Sequence, residues 1–295
     1  MTTLSIIILS YNTKDLTLRC VESIIKQYKK EITSEIFEIV LVDNGSKDGS
    51  VEAIQDLKLK IQNESSKFKI IKNKKNFGFS KGCNIGARAA SGDCLLFLNS
   101  DTEVLDGGFL KMVEFLDSNN RIGILGGKLS NHDGLPQASC GKFYTLGNLF
   151  LMLAGFEKIA RIRECPIGIK KADWVSGACM MIKKSVFDKI GGFDENFFMY
   201  MEDMEICFRA KSFGLLTYFY PYIKLVHKEF GSSNKSFAII NIYKGISYFY
   251  SKHKNFSEYF IAKMLLRIKA FIAIFIGLLI KDSSLVSAYR SAIKF

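Results

Sequence analysis

An α/β fold, with a mostly parallel sheet flanked by helices and a helical extension at the C-terminus, is predicted for this 295-residue chain. Short apolar runs rich in β-branched residues alternate with segments of helical periodicity. The runs are nearly continuous in their apolar character, as expected of strands covered by helices on both faces. Three of them end in clusters of turn-forming residues, Ser10-Tyr11-Asn12, Asp43-Asn44-Gly45-Ser46 and Asn99-Ser100-Asp101.

The elements follow in order. Leu4–Leu9 is a strand, and Leu16, Cys20, Val21, Ile24, Ile25 and Tyr28 recur at helical spacing behind it. Phe37–Val42 is a second strand, and Val51, Ile54 and Leu57 mark a short helix. Phe68–Ile71 and Cys94–Leu98 are strands on either side of a small-residue helix over Lys81–Ala90. A helix over Phe109–Leu116 and a strand over Ile122–Leu125 come next, and residues 128–170 show no clear period. Val175–Ile182 reads as one strand and Ser185–Ile190 as a helix before the Gly191-Gly192 turn. Met201–Phe213 is a helix closed by Gly214, and Leu215–Tyr220 is a last strand. In such sheets ligands bind beyond the carboxyl ends of the strands, where the three polar clusters fall. Each cluster alone could be an ordinary turn; the three together indicate a site.

Composition bounds the function. Hydrophobic residues at 48% and charged residues at 24% allow a sizeable core and exclude global disorder. With three prolines, no linker-like stretch and no internal repeat, the compact part reads as one continuous fold. The net charge of +12 suits nucleic acid, phosphorylated substrates or an anionic membrane. The chain has no zinc-finger spacing, basic-region heptad or RNA-binding sheet signature, so no nucleic-acid partner is expected. The densest basic stretch, Lys58 to Lys75, reads as a solvated surface. Seven singly placed cysteines suit free thiols in a reducing cytosol, and the first residues read as a strand and not as a signal peptide.

Six segments together resemble glycosyltransferase family 2, in that family's order: SIIILSYN, VDNGSKDGS, NFGFSKGCNIGARAASGD, LFLNSDT, WVSGACMMI and GGFDENFFMYMEDMEICFRAKSFG. The resemblance covers roughly residues 3–230 and is strongest to the rhamnosyltransferase-like branch of bacterial surface-polysaccharide assembly. It implies a GT-A fold, a nucleotide-diphosphate sugar donor, Mg²⁺ or Mn²⁺, and inversion at the anomeric carbon. Residues 1–236 would be the transferase domain and 237–295 a helical extension.

By that resemblance Asp43 accepts from the base, with Ser10, Tyr11 and Asn12 near the nucleoside and Asn76, Gly78 and Lys81 near the nucleotide. Asn99-Ser100-Asp101 stands where the family keeps its DxD-type motif. Asparagine replaces the first acid, which leaves Asp101 as the strong metal ligand and implies a more water-filled metal shell. Asp203 matches the family's catalytic base, with Glu202 and Glu205 orienting it or binding acceptor hydroxyls. His227 matches a late histidine that ligates metal in some members and is expected to contact the metal or the diphosphate, with a structural histidine as the alternative. Lys228–Ser236 reads as a loop able to close over the donor, with Lys228 or Lys235 near phosphate. Trp174 suits sugar stacking or the core, and Gly177 would let a sugar ring approach closely.

The extension is aromatic and basic. Its uncharged run Ala270–Ile280 is shorter than the roughly 18 residues of a spanning helix. Lys263, Arg267, Lys269 and Lys281 around it suit a helix lying in the interface of an anionic bilayer, with packing on the domain or on a second copy as the alternative. The expected enzyme is then cytoplasmic, peripheral on the inner face of the plasma membrane. Its acceptor would be a lipid-linked saccharide, and the donor sugar, on resemblance alone, rhamnose from dTDP-rhamnose. No pattern sets an oligomeric state. Two other functions compete: a non-catalytic carbohydrate-binding subunit, and a sugar nucleotidyltransferase. The second lacks the Gly-rich basic triphosphate loop it would need after strand one.

Overall fold

The computed structural model describes residues 3–61, 67–228 and 234–295. Strand β1 (Leu4–Ser10) leads through α1 (Lys14–Gln27) and α2 (Lys29–Thr33) to β2 (Phe37–Asp43), α3 (Ser50–Ile61), β3 (Phe68–Lys72), α4 (Phe79–Ala89) and β4 (Cys94–Asn99). The chain continues through β5 (Thr102–Val104), α5 (Phe109–Asp117), β6 (Ile122–Ser130), β7 (Pro136–Gln137), β8 (Cys140–Gly141), α6 (Leu146–Leu153), β9 (Arg163–Glu164), β10 (Lys170–Ala172) and β11 (Trp174–Val175). It ends with β12 (Cys179–Lys183), α7 (Lys184–Ile190), α8 (Glu202–Ser212), β13 (Leu216–His227) and helices α9 (Lys235–His253), α10 (Phe256–Leu279) and α11 (Ser283–Ala292).

The main sheet has the order β10-β13-β6-β12-β4-β1-β2-β3. Strands β4, β1, β2 and β3 are mutually parallel, as are β13 and β6, while β12 lies antiparallel between β4 and β6. Alternate side chains feed two cores. Ile7, Val40, Val42 and Phe97 pack with Cys83 and Ala87 of α4 on one face. Ile6, Ile8, Ile39 and Leu41 pack with Cys20, Val21 and Ile24 of α1 on the other. Each such buried side chain contributes roughly 1.5–3 kcal/mol, which explains why the strands read as unbroken apolar runs. Helix α4 approaches β1 closely because Gly86 has no side chain; a Cβ there would stand 2.6 Å from Ile7 Cγ2.

The structure departs from the sequence reading in three places that bear on the site. The stretch expected as one strand over Val175–Ile182 is two, β11 and β12, separated by Ser176-Gly177-Ala178 as the chain crosses between sheets. The last strand runs on to His227; its pairing with β6 shifts register between Tyr220 and Leu225, where Pro221 has no N–H to give. Residues 128–170, expected to be irregular, hold α6 and strands β8 and β9, which β11 completes into a small sheet of order β11-β8-β9. Two-residue strands carry no readable period, and α6 (LGNLFLML) has Asn148 as its one polar side chain, too little to mark an outer face. Thr145 caps it, its hydroxyl accepting from the N–H of Asn148 at 3.3 Å. All seven cysteines are free thiols, as expected, and six are buried.

Candidate active site

The three turn clusters meet at one sheet edge. The parallel register pairs Ser10 with Asp43 and Leu9 with Asn99, so β1, β2 and β4 leave the sheet at one level. Two cavities, of about 570 and 230 Å³, adjoin there, and Phe79, Asn99, Asp101 and Met199 line both.

Tyr11, Asn44, Asn76 and Gly78 line the smaller cavity. Asp43 is buried beside Asn44. Its Oδ2 accepts from the N–H groups of Gly45 and Ser46, both at 3.1 Å, while Oδ1 is buried without a partner. Buried polar atoms are nearly always bonded, so Oδ1 is suited to a donor brought by a ligand, such as a ring N–H. Asn44 shapes the loop after β3. Its Nδ2 donates to Asn76 Oδ1 at 2.9 Å and to the Gly78 carbonyl at 3.1 Å, while its Oδ1 accepts from Asn73 and the Phe77 N–H. Gly78 enters α4 with φ of +84°, and a Cβ there would collide with the Phe198 carbonyl. Gly78→Ala is therefore expected to weaken nucleotide affinity at least tenfold, measurable by calorimetry with a nucleoside diphosphate.

At the junction, Asp101 Oδ1 lies 3.3 Å from His227 Nε2 and makes no hydrogen bond. Gln137 fixes the ring. Its Nε2 donates to the His227 carbonyl at 2.8 Å, which turns Oε1 toward His227 Nδ1, also at 2.8 Å. Nδ1 must then carry the proton, leaving a lone pair on Nε2 beside Asp101, where Asn99 Nδ2 stands at 3.3 Å. An open carboxylate oxygen and an imidazole lone pair on one point fit a divalent cation whose other ligands are phosphate oxygens and water. Among the described residues no third acid, histidine or cysteine joins them.

The larger cavity holds the acids of α8. Asp203 Oδ1 accepts from the Met204 N–H at 2.8 Å and Oδ2 from the Gly177 N–H at 3.3 Å. The break between β11 and β12 is what frees the Gly177 N–H. Burial raises the Asp203 pKa above the ordinary aspartate value, against those two N–H donors and the charge of Arg163. Glu202, also lining the cavity, is raised further, by burial first and by Asp203 second, and its Oε2 has no partner. Such an environment makes Asp203 a stronger base than a solvated aspartate and holds Glu202 toward its protonated form. Trp174 lines the cavity too, with Nε1 donating to the Lys142 carbonyl at 3.0 Å and Arg163 over its ring at 5.8 Å.

Residues 5–191 match the family model described as glycosyl transferase family 2, well over half of the chain. The chain belongs to glycosyl transferase family 2. It is 25% identical over 227 residues to the N-acetylglucosaminyl-diphospho-decaprenol L-rhamnosyltransferase of Mycobacterium tuberculosis, covering 69% of this chain and 70% of that one. It is 26% identical over 160 residues to the rhamnosyltransferase WbbL of Escherichia coli, 51% of this chain and 61% of that one. In fold it is similar to the mannosyltransferase PcManGT of Pyrobaculum calidifontis, solved with GDP-Man and Mn²⁺. That TM-score is 0.61 at 14% identity, over 98% of this chain and 73% of that one. The GT-A fold and glycosyltransferase activity expected from the motifs therefore hold, and family 2 enzymes invert the anomeric centre.

Against that family pattern, the structure brings together Tyr11, Asn76, Gly78, Asn99, Asp101, Trp174, Gly177, Glu202, Asp203 and His227 around the two cavities. Four expected contacts turn elsewhere. Ser10 is fully buried and its hydroxyl bonds Thr13 and Thr17, tying β1 to α1. Asn12 accepts from the Lys47 N–H at 2.8 Å and so joins two loops. Lys81 pairs with Glu195 at 3.2 Å. Glu205 faces away from the cavity into the α8–α9 interface, where Arg209, Lys252 and His253 take its oxygens. The sequence could not separate Glu205 from Glu202, because one helix carries both and only packing sets which face is inside. Of the expected closing loop, residues 229–233 lie outside the described residues; the Lys228 N–H donates to the Asp101 carbonyl and Lys235 lines the larger cavity. Nothing in the sequence marks Tyr144, Arg163 and Gln137, which come from the stretch without a period.

Proposed function

We propose that the protein transfers rhamnose from dTDP-rhamnose to a hydroxyl of a lipid-linked saccharide or polysaccharide acceptor in bacterial surface-glycan synthesis, with Mg²⁺ or Mn²⁺. The observation that carries this reading is the junction of the two cavities at Asp101 and His227, with Asp43 buried beside one and Asp203 lining the other. The nucleoside takes the smaller cavity, its ring N–H meeting Asp43 Oδ1 and Tyr11 lying alongside. The acceptor takes the larger one, against Trp174 and Gly177. Asp101 and His227 hold the cation, which would offset charge on the departing diphosphate.

The acceptor oxygen attacks the anomeric carbon opposite the diphosphate and forms the new C–O bond. The bond to the phosphate oxygen breaks with its electron pair going to the nucleoside diphosphate, and the hydroxyl proton passes to Asp203. The rhamnosyl donor and the lipid-linked acceptor are supported by the two rhamnosyltransferase relatives, one of which is named for a diphospho-decaprenol acceptor. Residues 1–236 act as the transferase domain, and 237–295 attach it to the anionic inner face of the membrane. Among the described residues no helix is long and apolar enough to cross a membrane.

Nucleoside diphosphate release from a panel of sugar nucleotides, with Mn²⁺ and membrane extract, tests the reading. Turnover is expected with dTDP-rhamnose; turnover with another donor alone would replace rhamnose, and none with any donor would overturn the transferase. Chelation should abolish turnover, with Mn²⁺ or Mg²⁺ restoring it. Asp101→Ala should raise the Mn²⁺ concentration needed for half-maximal rate by at least tenfold. A chelated enzyme of unchanged rate would exclude the metal role.

A further inference from the structure

Helix α10 is apolar on two sides at once. At roughly 100° per residue, Ala262, Leu266, Ala270, Ala273 and Gly277 share one sector and are buried against the protein. The opposite sector carries Phe260, Met264, Phe271, Phe275 and Leu279, and Phe271 and Phe275 are 64% and 63% exposed. Small residues inside let the helix lie close to the domain, while the large ones are left outward. Lys263 and Arg267 border the outer sector on one side; on the other it widens through the exposed Ile272 and Ile276 to Lys269, and Glu258 is the only acid in the helix. Long basic side chains flanking an apolar strip reach phosphate headgroups while the strip enters the acyl boundary.

Helix α6 packs against α10, and its Leu149 lies in the same core cluster as Ala262, Leu266 and Ala270. The segment carrying α6 joins two residues that line the larger cavity, Tyr144 and Arg163. Between them it leaves Phe150, Phe156 and Ile159 exposed, Ile159 at 82%, together with exposed Lys158 and Arg161. A largely apolar segment, in which Lys158 and Arg161 outnumber Glu157, is thus anchored at both ends by residues that line the cavity.

We propose that the outer face of α10 and the residue 145–162 segment dock together on an anionic lipid bilayer, setting the side of the cavity lined by Tyr144 and Arg163 toward the headgroups, where a lipid-linked acceptor enters. A bilayer is the occupant that the charge favours. Basic residues border the apolar strip on both sides, and the whole chain carries +12. The acceptor clause rests on the transferase reading above; the docking itself does not.

The test uses the full chain with vesicles of phosphatidylglycerol and phosphatidylethanolamine, compared with phosphatidylcholine alone, at rising salt. Two variants change only exposed residues: Phe271→Glu with Phe275→Glu, and Phe150→Glu with Ile159→Glu. Binding to the anionic vesicles, weakened by salt and lowered roughly tenfold or more by each pair, is expected. Transfer to a bilayer-embedded acceptor should fall in parallel, while turnover with a short-chain, water-soluble acceptor stays at the wild-type rate. Loss of binding in the α10 pair alone would overturn the two-part surface. No vesicle binding, with a dimer in light scattering that the same variants dissociate, would assign the face to a second copy. Vesicle binding without turnover on any acceptor would uphold docking and overturn the transferase reading separately.

Discussion

Asp203→Asn is expected to lower kcat by roughly 10²–10⁴-fold, the range for removing a positioned general base, with donor affinity unchanged. The amide keeps the shape of the carboxylate, and its single oxygen can still accept from the Met204 N–H, which bonds Oδ1 in the wild type, while the Gly177 N–H loses its acceptor; it cannot take the acceptor's proton. Single-turnover kinetics alongside equilibrium binding of the donor would separate the two effects; a variant that turns over at the wild-type rate would remove Asp203 from the chemistry. The pH profile offers a second reading of the same residue. The base works only when ionised, so activity is present above its pKa and is lost as pH falls through it. Burial raises that pKa above the ordinary aspartate value of 3.8, so the acid limb of kcat/KM should lie higher than for a solvated aspartate. The Arg163 charge opposes the rise, and Arg163→Gln should therefore move the limb to higher pH still.

Glu205→Ala should destabilise the fold by about 3–5 kcal/mol, the usual cost of removing one partner from a buried ion pair. That corresponds to a fall of the order of 10 °C in Tm. Glu205 has no solvent exposure. Arg209 donates Nε to both of its oxygens at 2.9 Å, and its two terminal nitrogens reach the carbonyls of Ile190 and Gly192. Lys252 and His253 at the end of α9 approach the same carboxylate at 2.8 and 3.0 Å, and Lys252 also pairs with Asp194 at 2.7 Å. The carboxylate thus ties α8, which carries Asp203, to α9 and to the Gly191-Gly192 turn. Burial alone would raise its pKa, yet His253, Arg209 and Lys252 outweigh burial and bring it to about 2. A depressed carboxylate stabilises the folded state above the unfolded value of 4.5, and that contribution is lost as pH falls from there toward 2. Acid denaturation monitored by circular dichroism should show this window in the wild type and a shallower slope in Glu205→Gln. An unchanged Tm with a raised acceptor KM would return Glu205 to the acceptor site.

The sequence by itself determined the strands whose both faces are buried, because a strand with Ile6 in one core and Ile7 in the other leaves no polar alternation to obscure it. It also determined the sheet edge. Tyr11, Asn44 and Asp101 follow strands of one direction and similar length, so parallel pairing alone brings them level. Tertiary structure decided the facing of side chains within a motif. Ser10 and Tyr11 are neighbours on one loop, and packing against α1 hides the first while leaving the second to the cavity. Glu202 and Glu205 share one turn of α8, and the position of α9 determines which of them is covered. Tertiary structure also supplied Gln137 and Arg163, on two-residue strands too short for any period, and Tyr144, in the loop that precedes α6. Periodicity reports which way a segment faces only when water covers one of its sides; at this site the other side is protein as well, and long-range packing alone chooses.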